Sequence, residues 1–247
     1  MDIRRSADLE TIDGWCCYWR KEVSSTNDEI KKYCSDNGSK IVLCAEKQTA
    51  GRGRRGHSWL SLNGNLFFSM AFEFDIRNAG KIAIISGLSL LQVIKQLKEN
   101  ANVLLKWPND VLLNNAKVSG ILLEKGCGNY LIVGIGVNIA QSPISNELCY
   151  QVTSLSEAGI DIEKNAFLKH YIKFFLQNLS LLQTQGFAVL REKWLRNAKG
   201  LEQEIIVRQD GKEKKGIFKG IDENAALLMA TSHGIEKIMA GDVFFEE

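Results

Sequence analysis

Between residues 103 and 139 the chain reads as apolar runs separated by tight turns, leaving no stretch long enough for a helix. Val103-Leu104-Leu105-Lys106-Trp107 is a strand stopped by Pro108, which cannot donate to a sheet ladder. Asn109-Asp110 turns the chain into Val111-Leu112-Leu113. Asn114-Asn115 is a hairpin signal, and residues 117–124 form the returning strand. Gly126-Cys127-Gly128-Asn129 makes another turn. Residues 130–135 then return, ending in Gly134-Ile135-Gly136-Val137-Asn138-Ile139. A chain that doubles back this often is committed to a sheet.

The flanks add strands and helices. The aromatic-rich run 15–23 is a strand leading into Ser24-Ser25-Thr26-Asn27. That cluster precedes Asp28-Glu29-Ile30, so it supplies either a helix N-cap or hydroxyl and amide groups for a small ligand. Residues 41–45 form a buried strand, and 66–74 another after an Asn63-Gly64-Asn65 turn. Leu90, Leu91, Ile94 and Leu97 have helical spacing within 86–97. Residues 141–165 read as irregular. Leu168, Tyr171, Ile172, Phe175, Leu179 and Leu182 then mark a long amphipathic helix, and Leu190 and Trp194 a second one. From residue 201 onward short strands and turns suggest a small β-barrel. The 247 residues suit one or two domains at roughly 150 residues each. The boundary is placed between 1–200 and 201–247.

The chemistry centres on Gly51-Arg52-Gly53-Arg54-Arg55-Gly56. No acidic residue occurs between Glu46 and Glu73, so these arginines have no partner nearby in sequence. Arginine presents a planar fork of donors matched to carboxylate and phosphate, and glycine lets backbone approach a ligand. The spacing also matches a dinucleotide fingerprint, which needs a helix opening at the glycines. Here the loop leads into another strand. Arginines with Trp59, Phe67 and Phe68 would also fit a nucleic-acid-binding loop, but a net charge of +2 offers no broad basic surface. A solvated basic loop is the bland alternative. Lys106 and Asp110 flank the Trp-Pro turn and could simply form an ion pair. Lys117 starts the returning strand, with Gly120 behind it giving a ligand room on the sheet. Lysines, an aspartate and loop arginines suit joining a carboxylate to a nucleotide phosphate, where repulsion between two anions must be neutralised.

Other classes lose support. Cys16, Cys17, Cys34, Cys44, Cys127 and Cys149 follow no zinc or redox spacing and read as reduced thiols of a cytosolic protein. His57, His170 and His233 are scattered, which gives a metal site or catalytic triad little to build on. The N-terminus has no apolar core and is not a secretory signal. The apolar stretch 82–94 is broken by Ser86, Gly87, Ser89 and Gln92, too short and polar to span a bilayer.

The ordered set Ser25-Thr26-Asn27, Gln48-Thr49-Ala50 with the Gly/Arg loop, Lys106-Trp107-Pro108-Asn109-Asp110, Lys117-Val118-Ser119-Gly120-Ile121-Leu122 and Gly134-Ile135-Gly136-Val137-Asn138 resembles that of biotin–protein ligases. Gly220-Ile221-Asp222 followed by Ala226-Leu227-Leu228 is similar to that family's C-terminal barrel. The resemblance covers roughly residues 20 to 245 and implies an α+β fold. A mixed β-sheet backed by helices, class II synthetase-like, would carry a small C-terminal SH3-like β-barrel.

It also implies activation of biotin by Mg²⁺-ATP to biotinyl-5′-AMP, then transfer to a lysine of a biotin carboxyl carrier protein of acetyl-CoA carboxylase or a related biotin carboxylase. Lys117 and Arg54 would be catalytic. Ser25, Thr26, Asn27, Gln48, Arg52, Gly53, Arg54, Lys117 and Gly120 would bind biotin. Arg52, Arg54, Arg55, Trp59, Lys106, Asn109, Asp110 and Asn138 would bind ATP or the adenylate. No protein metal ligand is expected. The segment before Ser25 is too short for the winged helix-turn-helix of the repressor members, so no operator binding is expected; a homodimer is possible, and the location cytoplasmic. The tail Asp242-Val243-Phe244-Phe245-Glu246-Glu247 is acidic where relatives often end on a basic residue. A lipoate–protein ligase is the rival, disfavoured because such enzymes resemble an Arg-Arg-x-Ser-Gly-Gly-Gly pattern.

Overall fold

A computed structural model of the chain describes residues 9–34, 40–143, 150–209 and 211–245. In chain order the elements are β1 (Leu9–Ile12), β2 (Trp15–Val23), α1 (Thr26–Lys31), β3 (Ile41–Gln48), β4 (Leu66–Glu73), α2 (Ala79–Leu97), β5 (Val103–Lys106), β6 (Asp110–Leu113), β7 (Ala116–Lys125), β8 (Tyr130–Val137), α3 (Lys164–Gln185), α4 (Phe187–Leu195), β9 (Glu204–Gln209), β10 (Lys212–Ile221), β11 (Leu227–Thr231), β12 (Gly234–Ile238) and β13 (Asp242–Phe244). The strands predicted from the turns all form. Two compact units result: 1–79 with 116–173, and 80–115 with 174–247.

In the first unit strands pair in the order β1-β2-β3-β4-β8-β7. β2 and β3 are parallel and the other pairs antiparallel, so the sheet is mixed. Parallel neighbours need a crossover, and α1 lies within it. β8 is buried along its whole length, as its unbroken apolar run requires of a central strand covered on both faces. On one face Ile30 of α1 packs with Leu43, Ala71 and Ile132. Elsewhere in the unit's core Phe68 meets Tyr171 of α3 edge to face at 5.1 Å, and Trp15 meets Phe72 at 5.6 Å.

The second unit contains the β5–β6 hairpin, most of α2, the C-terminal half of α3, α4 and the last five strands. α2 begins earlier than the leucine spacing predicts. A 3-10 turn at Ile76–Asn78 precedes it, with the Asp75 carboxylate accepting from Arg77 N–H, and Gly80 and Gly87 obscure the helical pattern in between. The stretch Ile76–Leu97 is long and apolar enough to cross a membrane by length and composition, but 61% of its apolar window is buried in the fold, as in a core helix. Asn178 on α3 donates to Ser89 Oγ at 3.0 Å and Gln92 Oε1 at 2.6 Å on α2, which satisfies a buried amide. The C-terminal strands pair antiparallel in the order β12-β11-β10-β9-β13. Trp194 of α4 meets Phe218 of β10 at 6.4 Å.

Candidate active site

Side chains alternate across a strand, so a glycine at every second position leaves a trough on one face. Gly134 and Gly136 do this on β8, and Gly120 of β7 pairs directly with Gly136. Neighbouring groups fill the space. A Cβ on Gly136 would stand 2.5 Å from Trp59 Nε1 and Cζ2, and one on Gly120 2.8 Å from Trp59 Cζ3. One on Gly134 would collide with the Asn27 carboxamide, 2.9 Å from Cγ. The Trp59 indole therefore lies flat on paired glycine backbone. Gly120 does leave room on the sheet, and Trp59 and the Lys117 side chain use it.

Beside the trough sits a polar cluster where β2 passes into α1. Ser25 occupies the N-cap position, but its hydroxyl makes no capping bond. The cap reading thus holds for the backbone and not for the side chain. Thr26 N–H and Oγ1 both donate to Gln48 Oε1, at 2.8 and 3.1 Å. Ser69 Oγ on β4 lies 2.8 Å from Thr26 Oγ1 and 2.6 Å from Asn27 Oδ1, and its single proton serves one of them. Asn27 Nδ2 and Trp59 Nε1 are buried with no hydrogen-bond partner among the described residues. An orphaned buried donor costs about 1–3 kcal/mol. A ligand carrying acceptors would recover that cost.

The Gly/Arg segment forms a hairpin. Arg52 bridges Ser58 antiparallel, Gly53 N–H donates to His57 O at 2.6 Å, and Trp59 N–H donates to Gly51 O at 2.9 Å. At its tip Arg54–Gly56 is a single 3-10 turn, with Arg55 at φ 51° and Gly56 at φ 78°. No α-helix opens there, so the dinucleotide fingerprint is not realised. Arg54 is half-buried and Arg55 exposed.

Arg52 finds acidic partners distant in sequence. Its guanidinium grips Asp28 of α1 through both nitrogens, the second contact at 2.9 Å, and reaches Glu124 of β7 at 3.2 Å. Lys31 completes the group, 3.2 Å from Asp28 and 3.0 Å from Glu124. The Arg52 hydrogen bond holds the Asp28 carboxyl down at about 2, and Arg52 is pushed up in return. Burial works against ionising Glu124, and the bonds from Lys31 and Arg52 overcome it, lowering its pKa.

Lys117 extends along β7 toward Gly120, whose Cβ would lie 3.5 Å from Nζ. The ammonium stands 5.6 Å from the Trp59 ring centre and 5.2 Å from that of Tyr150. Asn138 is buried, and its amide donates to Thr153 O at 3.1 Å while its Oδ1 lies 3.4 Å from Asn65 Nδ2. The Asn65 contact joins the start of β4 to the end of β8, and the Thr153 bond holds the segment that follows β8.

Ser25, Thr26, Asn27, Gln48, Arg52, Gly53, Arg54, Arg55, Trp59, Lys117, Gly120 and Asn138 thus all belong to the first unit. Lys106, Asn109 and Asp110 belong to the second. There Lys106 and Asp110 pair across the β5–β6 hairpin, and Asn109 N–H donates to Lys106 O at 3.1 Å. Lys106 Nζ stands 5.7 Å from the Phe244 ring and 5.8 Å from Phe245. Lys199 lies 5.4 Å from Phe245 and Arg208 4.3 Å from Phe244, so the tail gathers cations through its aromatic rings. Glu246 and Glu247 lie outside the described residues, as does Cys149. Among the described residues no three His, Cys, Asp or Glu side chains converge as metal ligands.

Sequence reasoning missed Ser69, Asp28, Glu124 and Tyr150. Ser69 has a legible signal, a hydroxyl within the apolar run of β4; the others have none.

Residues 19–138 match the biotin/lipoate A/B protein ligase family, and 200–246 match the biotin protein ligase C-terminal domain. The biotin–[acetyl-CoA-carboxylase] ligase of Paracoccus denitrificans is 35% identical over 232 residues, covering 90% of this chain and 97% of that protein. The bifunctional ligase/repressor BirA of Escherichia coli is 30% identical over 243 residues, 95% of this chain and 75% of that one. The solved biotin protein ligase from Aquifex aeolicus in complex with biotin and ATP superposes with a TM-score of 0.80 at 32% identity, covering 92% of this chain and 97% of that one.

Proposed function

The chain belongs to the biotin–protein ligases of the biotin/lipoate A/B protein ligase family, and from that membership we propose how its residues carry the reaction. It is an ATP-dependent biotin ligase. The biotin carboxylate attacks the α-phosphorus of ATP, and the bond to the β-phosphate breaks to release pyrophosphate. The neutral amine of an acceptor lysine then attacks the acyl carbon of biotinyl-5′-AMP, forming an amide and releasing AMP.

The observation that carries the assignment of roles is the polar cluster of Thr26, Gln48, Ser69 and Asn27 beside the trough under Trp59. Its hydroxyl and amide groups, with Ser25, are matched to a ureido head, which both donates and accepts. Lys117, a compact charge with rotatable donors, serves as the electrostatic catalyst where carboxylate and α-phosphate meet. Arg54 shares that task from the hairpin, with Gly53 and Arg55 beside it. Trp59 shields the anhydride from water. Arg52 is committed to carboxylates in this structure, so it contributes by holding the hairpin. Asn138 supports the adenine side through the strand ends it ties. Lys106, Asn109 and Asp110 are assigned to the nucleotide on the motif alone. Mg²⁺ enters with ATP, as the counter-ion of its phosphates.

The acceptor is a biotin carboxyl carrier protein of acetyl-CoA carboxylase or a related carboxylase. A cytoplasmic location, a possible homodimer and division into 1–200 and an SH3-like barrel over 201–247 belong to this reading. ATP–pyrophosphate exchange measured with biotin and lipoate side by side tests it. Exchange with biotin alone is expected. Exchange with lipoate alone would replace the substrate, and RNA binding with a steep salt slope and no exchange would replace the class.

A further inference from the structure

The group of four charges that includes Arg52 connects the hairpin to the pocket by a short route. Asp28 follows Thr26 and Asn27 in the same turn of α1, so the helix that presents the polar cluster also grips the hairpin. Glu124, on β7 with Lys117 and Gly120, grips the same guanidinium from the sheet. From Arg52 the constraint passes through the bridge to Ser58, and then to Trp59, whose N–H is bonded to Gly51 O. The two acids and two bases, Asp28, Glu124, Arg52 and Lys31, sum to no net charge, so the group neutralises itself without a ligand. Bidentate arginine–carboxylate pairing also fixes orientation, which a single contact does not.

We propose that Asp28 is a positioning residue: with Glu124 it anchors Arg52, and so sets the 51–59 hairpin and its Trp59 indole in register over the Gly120–Gly136 pair. Within the arginine cluster it is Arg52 that holds the hairpin to α1 and β7. Release of the bound intermediate then requires breaking a bidentate pair rather than merely moving a glycine-rich loop.

The inference rests on the biotin-ligase reading, and two measurements separate them. In the first, enzyme carrying biotinyl-adenylate made from radiolabelled biotin and Mg²⁺-ATP is chased with unlabelled biotin. Asp28→Asn releases label about tenfold faster than wild type, the scale of one half-exposed charge-assisted pair. Asp28→Glu, which keeps the carboxylate, restores at least half of the retention. Affinity for biotin alone stays within about twofold, because Thr26, Gln48 and Ser69 are untouched. Added KCl speeds release from wild type more than from Asp28→Asn, which keeps only the Arg52–Glu124 contact for salt to screen. Equal release from wild type and Asp28→Asn, or equal losses in the Asn and Glu variants, overturns the proposal.

In the second, trypsin cleavage at the hairpin arginines is timed without any substrate. Asp28→Asn is cut about tenfold faster at Arg54 and Arg55 than wild type or Asp28→Glu. Equal cleavage overturns the anchor whatever the substrate. Faster cleavage in a protein that never forms a biotinyl-adenylate leaves the anchor standing and removes the biotin-ligase reading.

Discussion

Replacing Gly136 by alanine adds one methyl group directly under the Trp59 indole. The added Cβ stands 2.5 Å from Nε1 and Cζ2, against an ordinary contact of 3.4 Å or more, so the ring must retreat by about 1 Å or swing off the sheet. Gly136 does not have the positive φ that strains an alanine, so the backbone raises no objection. Overpacking costs about 1–3 kcal/mol where nothing yields. The indole is half-exposed and can yield, at the expense of its sheet contact and its 5.6 Å approach to the Lys117 ammonium, worth about 0.5–1 kcal/mol at such a site. The expected loss is about 1–2 kcal/mol. The assay is a double-mutant cycle with Trp59→Ala, read by urea unfolding and by single-turnover formation of biotinyl-adenylate. Without the indole the sign reverses. Alanine in a strand is favoured over glycine by about 0.5–1 kcal/mol, so Gly136→Ala on the Trp59→Ala background is neutral or stabilising. Losses that simply add would show that the steric relation between Trp59 and the glycine pair is not what holds the indole in place.

Lys117→Ala lowers single-turnover adenylation by about 10²-fold or more while biotin still binds, the scale of losing one preorganised electrostatic donor; a near-normal rate would remove Lys117 from the chemistry. Because Asp28 is depressed from 3.8 to about 2, its stabilising contribution is complete above about pH 4 and is lost as pH falls toward 2. Asp28→Asn therefore unfolds with a shallower acid dependence between pH 4 and 2, and an identical acid limb in the two proteins would contradict the Arg52 pairing. Iodoacetamide at pH 8, followed by peptide mass spectrometry, labels exposed Cys127 ahead of Cys17 and Cys44. Burial pushes the Cys17 thiol up to about 12 and raises that of wholly buried Cys44 well above its ordinary value; early labelling of either would place it nearer the surface than the fold does.

The strands between residues 103 and 137 are determined by the sequence itself. Proline, glycine and paired asparagines interrupt apolar runs, and Asn114 and Asn115 both adopt the positive φ, 52° and 66°, that a tight hairpin demands. The buried faces of α2 and α3 are legible too, because helical spacing places Leu90, Ile94, Tyr171 and Phe175 inward. For the Gly/Arg segment the residue types point no further than a general affinity for anions. Which arginine meets which anion is not legible. Arg52 finds Asp28 and Glu124 only when β3, α1 and β7 are assembled, 24 and 72 residues away along the chain. Ser69 joins Thr26 and Asn27 by strand register, and Trp59 covers Gly120 and Gly136 because those glycines are partners on adjacent strands. Local sequence governs backbone dihedrals and the alternation of apolar and polar faces. Contacts between residues remote in sequence depend on register and crossover, which are settled only when the sheet closes its core.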